Sequence, residues 1–147
     1  MTKTLRTATF ALTGLAALGS ALAADANPLE AERWKTRPLV VVAPRSDDPL
    51  LRRVEETLSR TAPREAFIER EMVFYRVVAG TGSRDGRALT AGQTRALLAA
   101  LGLRADAPAQ LVLVGKDGGA KVRQAAEVDL DEIFRTIDRM PMRQTGR

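Results

Sequence analysis

The stretch Ala107-Pro108-Ala109-Gln110-Leu111-Val112-Leu113-Val114-Gly115-Lys116-Asp117-Gly118-Gly119-Ala120-Lys121-Val122-Arg123-Gln124 decides how this chain folds. Gln110 to Val114 is an aliphatic, β-branched run introduced by a proline, which reads as a strand. Lys116 to Gly119 reads as a tight turn, because Asp-Gly supplies the positive φ that primed hairpin turns demand. Lys121 to Gln124 returns as the antiparallel partner. The same four residues resemble a phosphate loop only superficially: the Walker spacing is missing and no helix follows.

Outward from this hairpin, the pattern alternates. Pro38-Leu39-Val40-Val41-Val42-Ala43 is a continuous apolar run, the mark of a strand buried on both faces. Asp48 is placed to cap a helix with Pro49 in its first position, and Leu51, Val54 and Leu58 recur along it at helical spacing through Arg60. Pro63 opens a short helical piece that carries Ala66 and Phe67. Met72 to Ala79 is a second apolar strand, interrupted by Arg76, whose charge requires an edge position or a partner. Gly80 to Gly86 is a loop by composition, with glycines too irregular for a dinucleotide fingerprint. Thr90 and Gln93 form a capping box before a helix with Leu97, Leu98 and Leu101, ended by Gly102. Asp129 starts a last helix with Leu130, Ile133, Phe134 and Ile137 on one face, stopped by Pro141.

The expected order is strand, helix, strand, helix, strand, strand, helix. The first strands are joined by a right-handed crossover and the last two are antiparallel neighbours. This is an α/β fold with a four-stranded mixed sheet flanked by helices, and it resembles the thioredoxin-like fold. Pro108 stands where that fold carries a cis-proline. The resemblance therefore implies a cis Ala107–Pro108 bond beside the loop Arg45 to Pro49, leaving Ala109 and Gln110 to meet an extended ligand as a strand edge would. Where thioredoxins place their cysteine motif, this chain has Arg45-Ser46-Asp47-Asp48-Pro49.

Three stretches carry a closer resemblance: Trp34 to Pro44, Leu113 to Arg123 and Ile137 to Arg143. They resemble a bacterial exported domain of unknown function, similar to the DUDES-type domain of extracellular sushi-repeat and coiled-coil-domain proteins. The resemblance implies a thioredoxin-like domain with no catalytic residues to carry over.

The chain has no cysteine and no histidine. That excludes thiol–disulfide and peroxidase chemistry by the chain itself, Cys/His zinc sites, and Ser-His-Asp or Cys-His catalysis. It opens with Lys3 and Arg6, an apolar run from Phe10 to Leu18, and the small-x-small box Ala21-Leu22-Ala23, which together read as a secretory leader cleaved after Ala23. The run is about half the roughly 20 residues a spanning helix needs. The expected organisation is a signal peptide over 1–23, an N-terminal helical segment over 24–37 capped by Asn27 and packed by Trp34, the domain over 38–142, and a tail over 143–147. The expected location is periplasmic or secreted. The formal charge of +5 falls to +3 without Lys3 and Arg6. With acids mixed throughout and no basic block interleaved with aromatics, nucleic acid is not an expected partner.

Arg45, Ser46, Asp47, Asp48, Pro108, Ala109 and Gln110 are the expected binding residues. Asp47 and Asp48 have the types needed for acid–base work, but capping and dipole complementarity, worth about 0.5–2 kcal/mol, explain Asp48-Pro49. Arg33, Arg37, Arg45 and Arg70 are candidates for a basic patch near the first strand. Met140-Pro141-Met142 offers two thioethers, too few for a copper site, and Met140 reads as core. No catalytic residue, metal or cofactor is expected. The expected function is an exported non-redox binding or structural module for an unknown protein or envelope ligand. The alternative is a carboxylate/arginine-based enzyme acting on an anionic envelope ligand.

Overall fold

A computed structural model describes residues 25–144; the stretch 1–23 expected to be a leader and the end of the expected tail lie outside the described residues. Strand β1 (Arg37–Ala43) is buried along its whole length, as its unbroken apolar run requires. Helix α1 (Pro49–Ser59) starts where Asp48 accepts a hydrogen bond from the Leu50 N–H at 3.0 Å. A short helix α2 (Thr61–Glu69) leads to β2 (Met72–Val78), which lies parallel to β1 with Arg37 opposite Met72 and Ala43 opposite Val78. Helix α3 (Ala91–Leu101) has the Thr90–Gln93 capping box and ends at Gly102 in the left-handed conformation. Strands β5 (Gln110–Val114) and β6 (Ala120–Gln124) form the expected hairpin, and α4 (Leu130–Asp138) is capped by Asp129.

The sheet has six strands rather than four, in the order β4-β3-β2-β1-β5-β6. The two additions are β3 (Thr81–Arg84) and β4 (Arg87–Ala88), an antiparallel hairpin beside β2. The glycine-rich stretch read as a loop is therefore partly sheet. Backbone pairing to β2 overrides its lack of apolar alternation. Gly82 lets β3 approach α3: a Cβ there would sit 2.6 Å from Thr94 Oγ1.

Helices α1, α2 and α4 cover one face of the sheet, where Leu39, Val41, Leu111 and Leu113 meet Leu51, Val54, Phe67, Ile133 and Ile137. On the other face Val40, Val42, Tyr75, Val77 and Val112 meet Leu97 and Leu101 of α3 and Leu29 of a 3₁₀ turn (Pro28–Glu32). Each such side chain contributes roughly 1.5–3 kcal/mol by leaving water. Arg76 keeps its place in β2, away from the sheet edge, by pairing with Glu55 of α1 at 2.8 Å. No helix among the described residues is long and apolar enough to cross a membrane.

Four local expectations are corrected. The peptide bond before Pro108 is trans, since the described chain contains no cis bond. Trp34 does not pack the N-terminal segment; it is 63% exposed with φ +63°. Leu29 and Glu32 pack that segment instead. Pro141 does not merely stop α4 but opens a four-residue helix, α5 (Pro141–Gln144), so Arg143 is structured rather than tail. In the β5–β6 turn only Gly118 takes a positive φ, and the register shifts between Leu113 and Val114. The hairpin is therefore closed by a bulged turn, not by the two-residue primed kind.

Candidate functional site

The loop after β1 places the expected binding residues only partly together. Asp48, Pro108 and Ala109 line an open depression of about 320 Å³ with Pro49, Leu50, Ala125 and Ala126. Ser46 faces a different depression, beside Arg76 and Ser83. Arg45 and Asp47 pair with each other at 3.1 Å, both exposed. Gln110 is in register with Val42 of β1, so its backbone belongs to the ladder. Asp48, the charged side chain of the depression, is occupied as a helix cap.

The opposite end of β1 carries two networks of charge. In the first, Glu32 is buried on the α3 face. Its carboxylate accepts hydrogen bonds from the Tyr75 hydroxyl at 2.8 Å, from Arg84 Nε and Nη2, and from the Thr36 hydroxyl. Burial alone would raise its pKa, but the bonds from Arg84, Thr36 and Tyr75 together outweigh it and hold the pKa below the usual 4.5. Burial, with the neighbouring Glu32 carboxylate, pushes the Tyr75 hydroxyl well above its ordinary value.

The second network centres on Arg37, which is 2% exposed. Its Nη1 donates to the Arg70 carbonyl at 2.9 Å and lies 3.5 Å from Glu71 Oε2, while its Nε is buried with no hydrogen-bond partner. Burial lowers the Arg37 pKa against the attraction of Glu71. Lys116, just past β5, reaches the same Glu71 oxygen at 2.5 Å, and this bond is the main reason that Glu71 ionises below its ordinary value. Arg70 pairs with Asp138 at 2.7 Å and lies over the Phe134 ring. Arg143 of α5 pairs with Glu69 at 2.6 Å and approaches Asp138. Four cations thus face three acids, Glu69, Glu71 and Asp138.

A cavity of about 100 Å³ opens against this network. Arg37, Lys116, Asp117 and Lys121 supply its charged lining, and Met140, Pro141 and Met142 its apolar wall. Lys121 is engaged by Asp117 at 2.6 Å. No group of three acidic, Cys or His side chains suited to a metal occurs among the described residues.

A family model described as a domain of unknown function, DUF4174, matches residues 28–146. The chain belongs to the DUF4174 family. No curated protein and no solved structure matches it. The match spans both charge networks of this DUF4174 chain, from Glu32 to Arg143.

Sequence reasoning placed Arg37 and Arg70 on a surface patch, Lys116 in a turn and Arg143 in a tail. Their convergence follows from the parallel β1–β2 register, which sets Arg37 beside Met72 and so beside Glu71. A charge at the first residue of a wholly apolar strand, with an acid just before the next strand, is the signal that was present in the chain.

Proposed function

We propose that this DUF4174 domain is an exported, non-redox binding module on a thioredoxin-like scaffold, and that it holds an anionic group in the cavity between Arg37, Lys116 and the Met140–Met142 wall. The scaffold reading is supported by the order β2-β1-β5-β6, with β1 parallel to β2 and the remaining pairs antiparallel; β3 and β4 would be an edge addition to that core. It also accords with the resemblance of Trp34–Pro44, Leu113–Arg123 and Ile137–Arg143 to the extracellular DUDES-type domains. Export rests on the leader pattern over 1–23, and the lack of cysteine removes thiol chemistry by the chain.

One observation carries the binding reading: a buried arginine with an unmet Nε beside a cavity where cations outnumber acids. A buried donor without a partner costs roughly 1–3 kcal/mol, more when charged, and Arg70 Nε and Arg143 Nε in the same network are likewise unmet, so the network holds more donors than its acids engage. Binding is favoured over acid–base catalysis because Glu71, the acid nearest the cavity's cations, is held ionised by Lys116.

The test is thermal unfolding of the purified protein at constant ionic strength, with acetate, sulfate or phosphate replacing chloride. Ligand at a hundred times its Kd stabilises by about 2.7 kcal/mol. A rise in Tm with at least one anion, lost in Lys116→Ala, is expected. Identical melts in all four anions would reject the reading.

A further inference from the structure

Glu71 has an unusual place in the cationic site. One of its carboxylate oxygens lies 2.5 Å from Lys116 Nζ and 3.5 Å from Arg37 Nη1. The contact to Lys116 is close, while the one to Arg37 is at the limit of a hydrogen bond. The side chain is 55% exposed, open to water on its outer side. Glu71 therefore sits against two of the cavity's three cations without lining it, and Arg37 Nε stays unmet.

We propose that Glu71 is a resident stand-in for the ligand's carboxylate, and that the ligand is the free C-terminal carboxylate of a polypeptide ending in a small aliphatic residue. This rests on the anion-binding reading above and names its ligand.

The bridge made by Glu71 is itself the precedent for a carboxylate between Arg37 and Lys116. An incoming carboxylate that displaces it would take the Lys116 bond and offer a second oxygen to Arg37; planar guanidinium groups favour such two-oxygen contacts. The Met140, Pro141 and Met142 wall suits an aliphatic group beside that carboxylate, and Lys121, the third cation of the lining, is already engaged by Asp117. The cavity, at about 100 Å³, is smaller than the ~150 Å³ that admits benzene, so the terminal side chain is smaller than a phenyl ring.

The surroundings point to a polypeptide rather than a free short acid. The exposed large apolar residues among those described are Trp34, Ile68 and Met142. Trp34 donates its N–H to the Lys116 carbonyl, Ile68 accepts from the Glu71 N–H, and Met142 lines the cavity. Met142 thus lines the cavity while the backbones of Trp34 and Ile68 bond Lys116 and Glu71, so exposed apolar residues adjoin the cationic site, and such groups gathered at one place mark interaction surfaces.

Trp34 is the one tryptophan of the chain, so its fluorescence reports on the site. The probes are N-acetyl-Ala-Ala-Val with a free C-terminus, the same peptide as its C-terminal amide, and isovalerate, each titrated by fluorescence and calorimetry. The free acid is expected to bind at least tenfold more tightly than the amide and than isovalerate. Glu71→Gln, which removes the competing charge at an exposed position, is expected to tighten the free acid at least threefold; Lys116→Met is expected to weaken it at least tenfold. Equal binding of acid and amide overturns the proposal, as does the absence of binding by the acid. Isovalerate as tight as the peptide overturns the polypeptide source, and Glu71→Gln with unchanged or weaker binding overturns the stand-in role. The acid–amide comparison needs no variant, so a folding defect in either mutant leaves it decisive. If these titrations fail while the anion-dependent Tm rise persists, only this inference falls; if both fail, the binding reading falls with it.

Discussion

The Glu32 and Arg37 networks sit at the same end of the sheet and bury one charge each, yet they are built oppositely. Glu32 is met by four donors from Tyr75, Arg84 and Thr36, drawn from the sheet and its own segment, and nothing is left over. Arg37 has a backbone carbonyl, one long carboxylate contact and an orphaned Nε beside a cavity. A buried charge that is fully engaged ties elements together, whereas one left partly unengaged next to empty space is held for something else. On the binding reading proposed above, the difference sets a Glu32 network that serves stability against an Arg37 network that serves recognition.

The largest expected effect tests that division directly. Glu32→Ala strands Arg84 and the Tyr75 hydroxyl, and breaking a buried pair from one side costs about 3–5 kcal/mol. Lys116→Ala leaves Glu71 facing water and is expected to cost less than about 1 kcal/mol. Urea unfolding of the two variants side by side checks this; equal losses would erase the distinction.

Acid sharpens the same contrast. Glu32 has a folded pKa below 4.5. Its contribution to stability is therefore complete above the unfolded value and is lost as pH falls below 4.5 through the folded pKa. Glu71 is shifted in the same direction, but it is largely open to water. Glu32→Gln should flatten the fall in stability between pH 5 and 2 more than Glu71→Gln does, measured by thermal melts across that range.

Smaller effects come from the frame around the networks. Gly82→Ala must push against Thr94 and Leu89, with an expected loss of about 1–3 kcal/mol. Thr90→Ala removes the α3 cap and should cost about 1 kcal/mol. That variant should bind anions as the parent does, since α3 lies on the face away from the cavity. A change in anion binding there would mean that the site is less local than its lining residues indicate.

Much of the frame could be read in the chain. The caps at Asp48, Thr90 and Asp129, the stop at Gly102 and the antiparallel pairing of β5 with β6 all depend on a few adjacent residues and stand as expected, while the turn between those two strands does not. The β3–β4 hairpin was missed because its strands have almost no apolar residues. Its one local signal was Asp85-Gly86, where both residues take positive φ, the requirement of a primed turn. The Arg37 network was less legible still. Arg37, Glu69, Arg70, Glu71, Lys116, Asp138 and Arg143 come from widely separated parts of the chain, and only the sheet register and the packing of the last helices bring them together. Composition shows seven charges and not that they meet.

The segment ahead of β1 also bears on the order of assembly. Arg33 donates to the carbonyl of Asp117 across a separation of 84 residues, and Glu32 bonds Tyr75 across 43. The Glu32 bond cannot close before β2 is present, nor the Arg33 bond before the last hairpin is, so this segment is secured late, after long loops have been brought together. Late-forming contacts govern the rate of escape from the native state rather than the rate of reaching it. Substitutions at Glu32 or Arg33 should therefore steepen unfolding in kinetic traces while leaving refolding nearly unchanged, and this segment would act as a latch fastened at the end of folding.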